Sequence, residues 1–418
     1  MGRKIIALFL VFSYIYQASY IFLPLNFTCT IGIASFLLYF FNKKNFAIGR
    51  GNSKSLFNVL RLLAPVALVA ILSIFLNFSS DLYFFKWAVI NMFYAFGAYF
   101  IVQYIIKAYG SFDFHLIVKL LTYCAAIQCT LSLLMFLNPD LNFFLQSLIK
   151  QDEIGAEAVE SVGEIRMLGF GTYFFGAGLT HGFILLLMAL EICNPRLSTK
   201  ELSLYFILYL YITVVSMLMS RTTMIGAGMG LALIVLYKLR SFQSFFKFAF
   251  GIVATLLCAI LLIKLIPSSV LGEYEDITKF GFEMFINYKE SGELTTVSTN
   301  HMFEDMVVFP TDIKTWVIGD ALWMDPTGDG YYMHTDIGYC KLLFYFGIIG
   351  TIVYFFFQAC YIRNVFPFST YGIIPFLAFF GYVLAINVKG LCDSFPYLMF
   401  CYICRYSYVD FPKLRRYR

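Results

Sequence analysis

Charge is what this sequence has least of. Asp, Glu, Lys and Arg make up only 13% of it, about half the roughly 25% of a soluble domain, so a water-soluble globular protein is excluded. No zinc-ligand spacing, P-loop or G-x-S-x-G elbow occurs, which leaves cytosolic nucleotide chemistry unsupported. There are ten cysteines but no disulfide framework, because all lie in or beside apolar runs. Cys401 and Cys404 have C-x-x-C spacing in an aromatic helix without His partners, so they read as packing. No fixed-period or inverted repeat is evident, which weighs against a transporter built from repeats. The net charge of +5 is small and implies no nucleic-acid partner.

What is there is hydrophobic surface. The chain is 60% hydrophobic and 20% aromatic, with a mean hydropathy of +0.78. Apolar windows fall near 5–23, 27–41, 56–77, 84–106, 116–137, 169–192, 202–219, 223–238, 247–266, 338–361, 369–388 and 391–408. At ~20 residues per span, the expectation is an all-α polytopic membrane protein of about twelve helices, the second and eighth short. The basic start (Arg3, Lys4) leads into a long apolar run without a small-residue cleavage site, and reads as a retained first span.

Bases concentrate on alternate connections, at Lys43, Lys44, Arg196, Lys200, Arg240 and Arg416 among others. By the positive-inside rule that set is cytoplasmic, with both termini inside. The expected organisation is residues 1–266 as nine helices with a small outer loop at 138–168, residues 267–337 as a large outer loop, and residues 338–418 as three helices and a basic cytoplasmic tail. The large loop carries thirteen acids against three bases and closes on Met333-His334-Thr335-Asp336-Ile337-Gly338. From Gly272 to Glu290 its apolar residues have helical spacing, as in an amphipathic helix on the bundle or membrane surface.

Five residues stand out chemically. Arg221 sits in Ser220-Arg221-Thr222, a tight outward turn between two apolar helices. A charge near hydrocarbon costs ~2.5–3.5 kcal/mol on insertion scales, so it usually serves a partner or ligand. A guanidinium offers phosphate a planar fork and stays charged; the plainer alternative is a snorkelling side chain among lipid headgroups. Arg166 ends the small loop and has the same two readings, an anion ligand or an ion pair with Glu164 or Glu160. His334 is the candidate general base, oriented by Asp336. Lys341, seven residues on, shares its face if the helix starts early. Lys389 and Asp393, four apart, most simply form an ion pair. The stretch from Asp325 to Asp336 partly matches a calcium loop, but Pro326 and the absent terminal Glu favour an acidic turn. No metal site is expected.

These pieces resemble the Wzy-type O-antigen and capsule polymerases, within the O-antigen polymerase and ligase superfamily. The resemblance rests on the many-span architecture, Arg166-x-x-Gly before a helix, Ser220-Arg221-Thr222, the run from His334 to Gly350, and Asn387-Val388-Lys389-Gly390. It departs at Thr335, where the ligase branch commonly has Asn, and at Lys341, where many polymerases carry Arg. It implies a GT-C-like, metal-independent glycosyltransferase without cofactor on the outer face of the bacterial cytoplasmic membrane. Its donor and acceptor would be glycans on undecaprenyl pyrophosphate. Arg221, Arg166 and Lys341 would hold pyrophosphate, and His334 and Asp336 would be catalytic. A chain-length regulator and a flippase would be its partners, beside the bilayer. The alternatives are an O-antigen ligase and, more distantly, a polysaccharide flippase or transporter.

Overall fold

The computed structural model describes residues 2–41, 49–150, 166–238, 275–293, 295–328 and 330–406. In chain order the helices are α1 (Gly2–Ile15), α2 (Phe27–Phe41), α3 (Gly49–Asn77), α4 (Tyr83–Tyr109), α5 (Phe114–Leu137), α6 (Pro139–Ser147), α7 (Phe174–Ile192), α8 (Thr199–Met219), α9 (Thr223–Lys238), α10 (Glu275–Ser291), α11 (Val297–Asp305), α12 (Ile313–Ile318), α13 (Gly338–Val365), α14 (Phe368–Tyr371), α15 (Ile374–Ile386) and α16 (Phe395–Tyr406). No strand occurs among the described residues, only an isolated bridge between Met324 and Tyr331.

Among the described residues six helices are long and apolar enough to cross a membrane: Leu56–Asn77 within α3, then α4, α5, α7, α8 and α13. Three shorter apolar helices, α2, α9 and α15, join them. The described residues thus form helices and connecting turns, with the apolar spans of a membrane protein. The expected window at 247–266 lies outside the described residues. The window at 5–23 is not one helix: α1 stops at Ile15, Gln17 takes a left-handed φ of 49°, and the chain folds back so that Phe27 N–H reaches Ala18 O at 2.8 Å.

Two compact units divide the chain, Met1–Leu120 with Thr295–Arg418, and Leu121–Leu294. The division falls inside the acidic segment expected as one loop. Within the first unit, α12 and the turn after it pack on the start of α13. Within the second, α10 lies on the end of α8, with Gly281 so close to Leu218 that a Cβ there would come within 2.7 Å of its side chain.

In the second unit α7 and α9 approach backbone to backbone. A Cβ on Gly226 would lie 2.4 Å from Gly182 Cα, and one on Gly178 would lie 2.6 Å from Ser220 Oγ. Small residues one turn apart allow such contact, which favours association where lipid offers no hydrophobic driving force. The hydroxyl of Tyr209 ties α8 to α9 by donating to Ala227 O at 2.7 Å.

In the first unit α13 is broken. Gly347 has φ 65° and ψ −169°, and every residue from 338 to 347 except half-buried Tyr339 is buried. A break inside a buried apolar helix must find donors for its freed carbonyls. Here Asp320 N–H donates to Phe344 O at 2.6 Å, and Ala321 N–H to Tyr345 O at 3.1 Å. Ser73 of α3 adds its hydroxyl to Tyr345 O at 2.8 Å. The polar segment after α12 therefore caps an internal helix end.

Candidate functional site

The second unit brings Arg166 and Arg221 together. Ser220-Arg221-Thr222 is the expected tight turn, with Ser220 extended as the C-cap of α8 and Thr223 opening α9. The segment carrying Arg166 is fastened to the same helix end, because Met167 N–H donates to Leu218 O at 3.2 Å. Gln128 and Ser132 of α5 hold its next carbonyls, Phe170 O at 3.1 Å and Leu168 O at 2.6 Å. Both guanidinium carbons lie 4.4 Å from the centroid of the Phe280 ring on α10. Phe174 faces Arg166 from another side at 5.5 Å.

Arg221 is paired with Glu283, three residues after Phe280 on α10. Arg166 forms no ion pair with a described carboxylate, and Glu160 and Glu164, its expected partners, lie outside the described residues. Its Nε is enclosed without a hydrogen-bond acceptor, as are the hydroxyls of Thr222 and Thr223. Burial, then the neighbouring charge of Arg221, pulls the Arg166 guanidinium below its ordinary pKa, against an opposing pull from Glu283. Among the described residues two cations thus face a single carboxylate, which pairs with Arg221 and reaches Arg166 only through its charge. With donors to spare, this is the composition of an anion site. Sequence reasoning missed Phe280 and Glu283, although their i, i+3 spacing on an amphipathic helix places them on one face.

His334, Asp336 and Lys341 belong to the first unit. His334 ends a single 3-10 turn, Tyr332–His334, before α13 begins at Gly338. The expectation that His334 and Lys341 share a helix face therefore fails. Met333 and His334 both adopt left-handed φ, 57° and 49°, an arrangement that non-glycine residues hold only under tertiary constraint. That constraint comes on one side from the 323–332 turn, where Tyr332 N–H donates to Trp323 O and His334 N–H to Tyr331 O. On the other side Thr335 is buried and donates to Met306 O at 2.7 Å. The imidazole is exposed.

Asp336 does not orient His334, as the sequence had suggested. Its carboxylate turns to Lys341, whose Nζ lies 3.4 Å away. Lys341 is only 7% exposed, because Tyr331 lies 3.0 Å below the ammonium and Trp323 5.1 Å. Desolvation makes an aromatic face a stronger partner for a cation. Asp325, whose field reaches His334, accepts from the N–H and hydroxyl of Thr327 at 2.8 and 2.6 Å. Those bonds, with a smaller contribution from His334, hold its carboxyl below the ordinary range. Asp325 and Asp336 are thereby committed to a turn and to an ion pair, not to a shared cation. Among the described residues no group of three or more His, Cys, Asp or Glu could hold a metal ion.

Two of the motifs behind the resemblance meet in this unit. Tyr339 N–H donates to Asn387 O at 3.2 Å, and Gly338 lies so close to Asn387 and Gly390 that a Cβ would clash with both. The expected Lys389–Asp393 pair is not formed. Asp393 instead accepts from Trp87 Nε1, Asn91 Nδ2, Gln358 Nε2 and Phe395 N at 2.9–3.2 Å.

Trp323 is not free for a ligand: it is buried and stacked on Tyr83, with centroids 4.0 Å apart. Trp316 likewise donates to Pro310 O and stacks on Phe309. Comparison with protein-family models, with curated proteins and with solved structures finds no match for this chain.

Proposed function

We propose that this protein is a glycosyltransferase that polymerises undecaprenyl-pyrophosphate-linked oligosaccharide repeat units on the outer face of the cytoplasmic membrane. The product would be an O-antigen or capsular polysaccharide. The reading takes the full bundle as about twelve helices of GT-C-like arrangement, termini inside and the acidic segment outside. The observation that carries it is the guanidinium pair of Arg166 and Arg221 on Phe280, with Glu283 paired to Arg221 and the enclosed Arg166 Nε lacking an acceptor. The motif resemblance is its second support.

In the reaction, the acceptor hydroxyl oxygen attacks the anomeric carbon of the donor. The bond from that carbon to the pyrophosphate oxygen breaks, and the lipid pyrophosphate leaves with the electron pair. Arg166 and Arg221 stabilise that developing polyanion as fixed charges that need no reorganisation. By the motif resemblance the acceptor proton goes to His334, whose exposed imidazole can serve as a general base. Lys341, neutralised by Asp336 and enclosed by rings, fixes the local structure around His334 more than it offers a free cation.

The test is a chromosomal deletion followed by gel analysis of the surface polysaccharide. A single repeat on the lipid core is the expected result. Full-length chains stranded on the carrier lipid would instead indicate a ligase, which uses the same chemistry. Arg221→Ala should abolish polymerisation at normal expression, and normal chain length in that variant would remove the assigned role.

A further inference from the structure

The role of Glu283 does not follow from the need for a pyrophosphate clamp. A clamp needs cations, yet α10 lays a carboxylate directly on one of its two guanidinium groups. The placement is specific. Phe280 supplies a ring to both arginines, and Glu283, three residues later on the same face, pairs with Arg221 and acts electrostatically on Arg166. The opposite edge of α10 carries Phe282, Phe285 and Tyr288, all exposed. A helix with its charged edge on the arginines and an aromatic edge turned away suits the boundary between headgroups and acyl chains. At that boundary the clamp meets a large excess of other anions, the singly charged phosphodiesters of anionic phospholipids.

Resting on the reading of Arg166 and Arg221 as a pyrophosphate clamp, we propose that Glu283 is its specificity filter. It is a built-in monoanion that only a multiply charged phosphate displaces. A phosphodiester brings the same single charge that Glu283 already provides, and must also give up its own hydration, so exchange yields nothing. A pyrophosphate brings more charge and enough oxygens to engage both guanidinium forks, including the Arg166 Nε that has no acceptor. Glu283 then swings off Arg221, and the clamp passes from internal to external anion without an interval of two bare cations. Discrimination thus comes from a competing element against the wrong ligand as well as from attraction to the right one. Glu283 is a positioning and specificity residue; it touches no reacting atom.

The experiment uses the full-length protein in nanodiscs of phosphatidylcholine, with and without phosphatidylglycerol. Inorganic pyrophosphate is titrated calorimetrically into the parent, Glu283→Gln, Glu283→Asp, Arg221→Ala, and the Glu283→Gln/Arg221→Ala double variant. Glu283→Gln is isosteric at a partly exposed position, which favours retention of the fold. In neutral nanodiscs it should bind pyrophosphate about fivefold to tenfold more tightly, the scale of removing one part-buried competing charge. The gain should vanish in the double variant.

In discs containing phosphatidylglycerol the parent should keep its affinity apart from the general effect of surface charge. Glu283→Gln should lose most of its gain, because lipid phosphodiesters now enter the clamp. A merely structural Glu283 predicts the reverse sign, weaker binding in Glu283→Gln and rescue by Glu283→Asp, and that result overturns the filter. Equal gains in both lipid compositions overturn it as well. If the parent and Arg221→Ala bind pyrophosphate equally, or neither binds, the clamp itself is wrong, a failure distinct from that of the filter.

Discussion

At the scale of single residues, charge and backbone strain mark the candidate chemistry. Arg166 and Arg221 were legible because a guanidinium beside apolar helices is costly enough to need a reason. Their company was not legible, since Phe280 lies more than a hundred positions after Arg166. His334 was legible as a residue type in the right place, but its backbone was not. A φ of 49° is tolerated by Asn far better than by Ala, which separates chemistry from strain. His334→Asn should fold to the same yield as the parent and polymerise on the order of 10²–10⁴-fold more slowly, the typical contribution of a general base. His334→Ala should lose the same activity and some thermal stability. Polymerisation by His334→Asn at the parental rate, measured with lipid-linked repeat units in vitro, would remove the base from the mechanism. Asp336 shows the limit of spacing arguments: two residues from His334 in sequence, it faces Lys341 because the chain turns between them.

At the scale of elements, α13 carries the clearest lesson. Its sequence reads as one apolar span from 338 onward, and periodicity gives no sign that the first nine residues form a separate, enclosed half-helix. The break exists because Gly347 and Gly319 let two backbones meet. A Cβ on Gly347 would lie 2.3 Å from Val317 backbone atoms, and one on Gly319 would lie 2.4 Å from Tyr345. Gly347→Ala should cost ~3 kcal/mol or more, combining a backbone conformation closed to L residues with a backbone clash. Gly372 is the control, with φ 73° and open space around it, so Gly372→Ala carries the backbone strain alone. Thermal unfolding in detergent should show a clearly larger drop for Gly347→Ala than for Gly372→Ala. Equal drops would mean that the contact with Val317 contributes nothing. By contrast α10 was foreseen as amphipathic from its spacing, and the described helix, Glu275–Ser291, falls on that stretch. Its partner, the end of α8, was not foreseeable.

At the scale of the whole molecule, composition alone places the chain in a membrane and the bundle agrees. The proposed orientation is read from where Lys and Arg lie, and it is directly testable. Sandwich fusions of alkaline phosphatase at exposed Gly292, between α10 and α11, should be active. Fusions after Arg196, in the turn between α7 and α8, should be inactive. The opposite pattern would turn the proposed enzyme inside out and remove its lipid-linked substrates. The acidic segment also changes character at this scale. It reads in sequence as one loop between two spans, whereas its halves serve different bundles: α10 sets a ring and a carboxylate on the arginines, and the residues after α12 cap a broken helix.

What the sequence by itself determined is the membrane character of this protein, the course of most of its described helices, and which few charged residues lie beside apolar helices. Those properties are local: burying a stretch of apolar side chains or a single charge in lipid has a cost set by the stretch itself. What only the tertiary structure decided is which groups those charges meet: Arg221 with Glu283, Asp336 with Lys341, and Asp393 with Trp87, Asn91 and Gln358. Ion pairs and hydrogen bonds act over a few ångströms in space with no regard for separation along the chain. Their partners are therefore fixed by how helices pack, through glycines whose close contacts no spacing rule reveals.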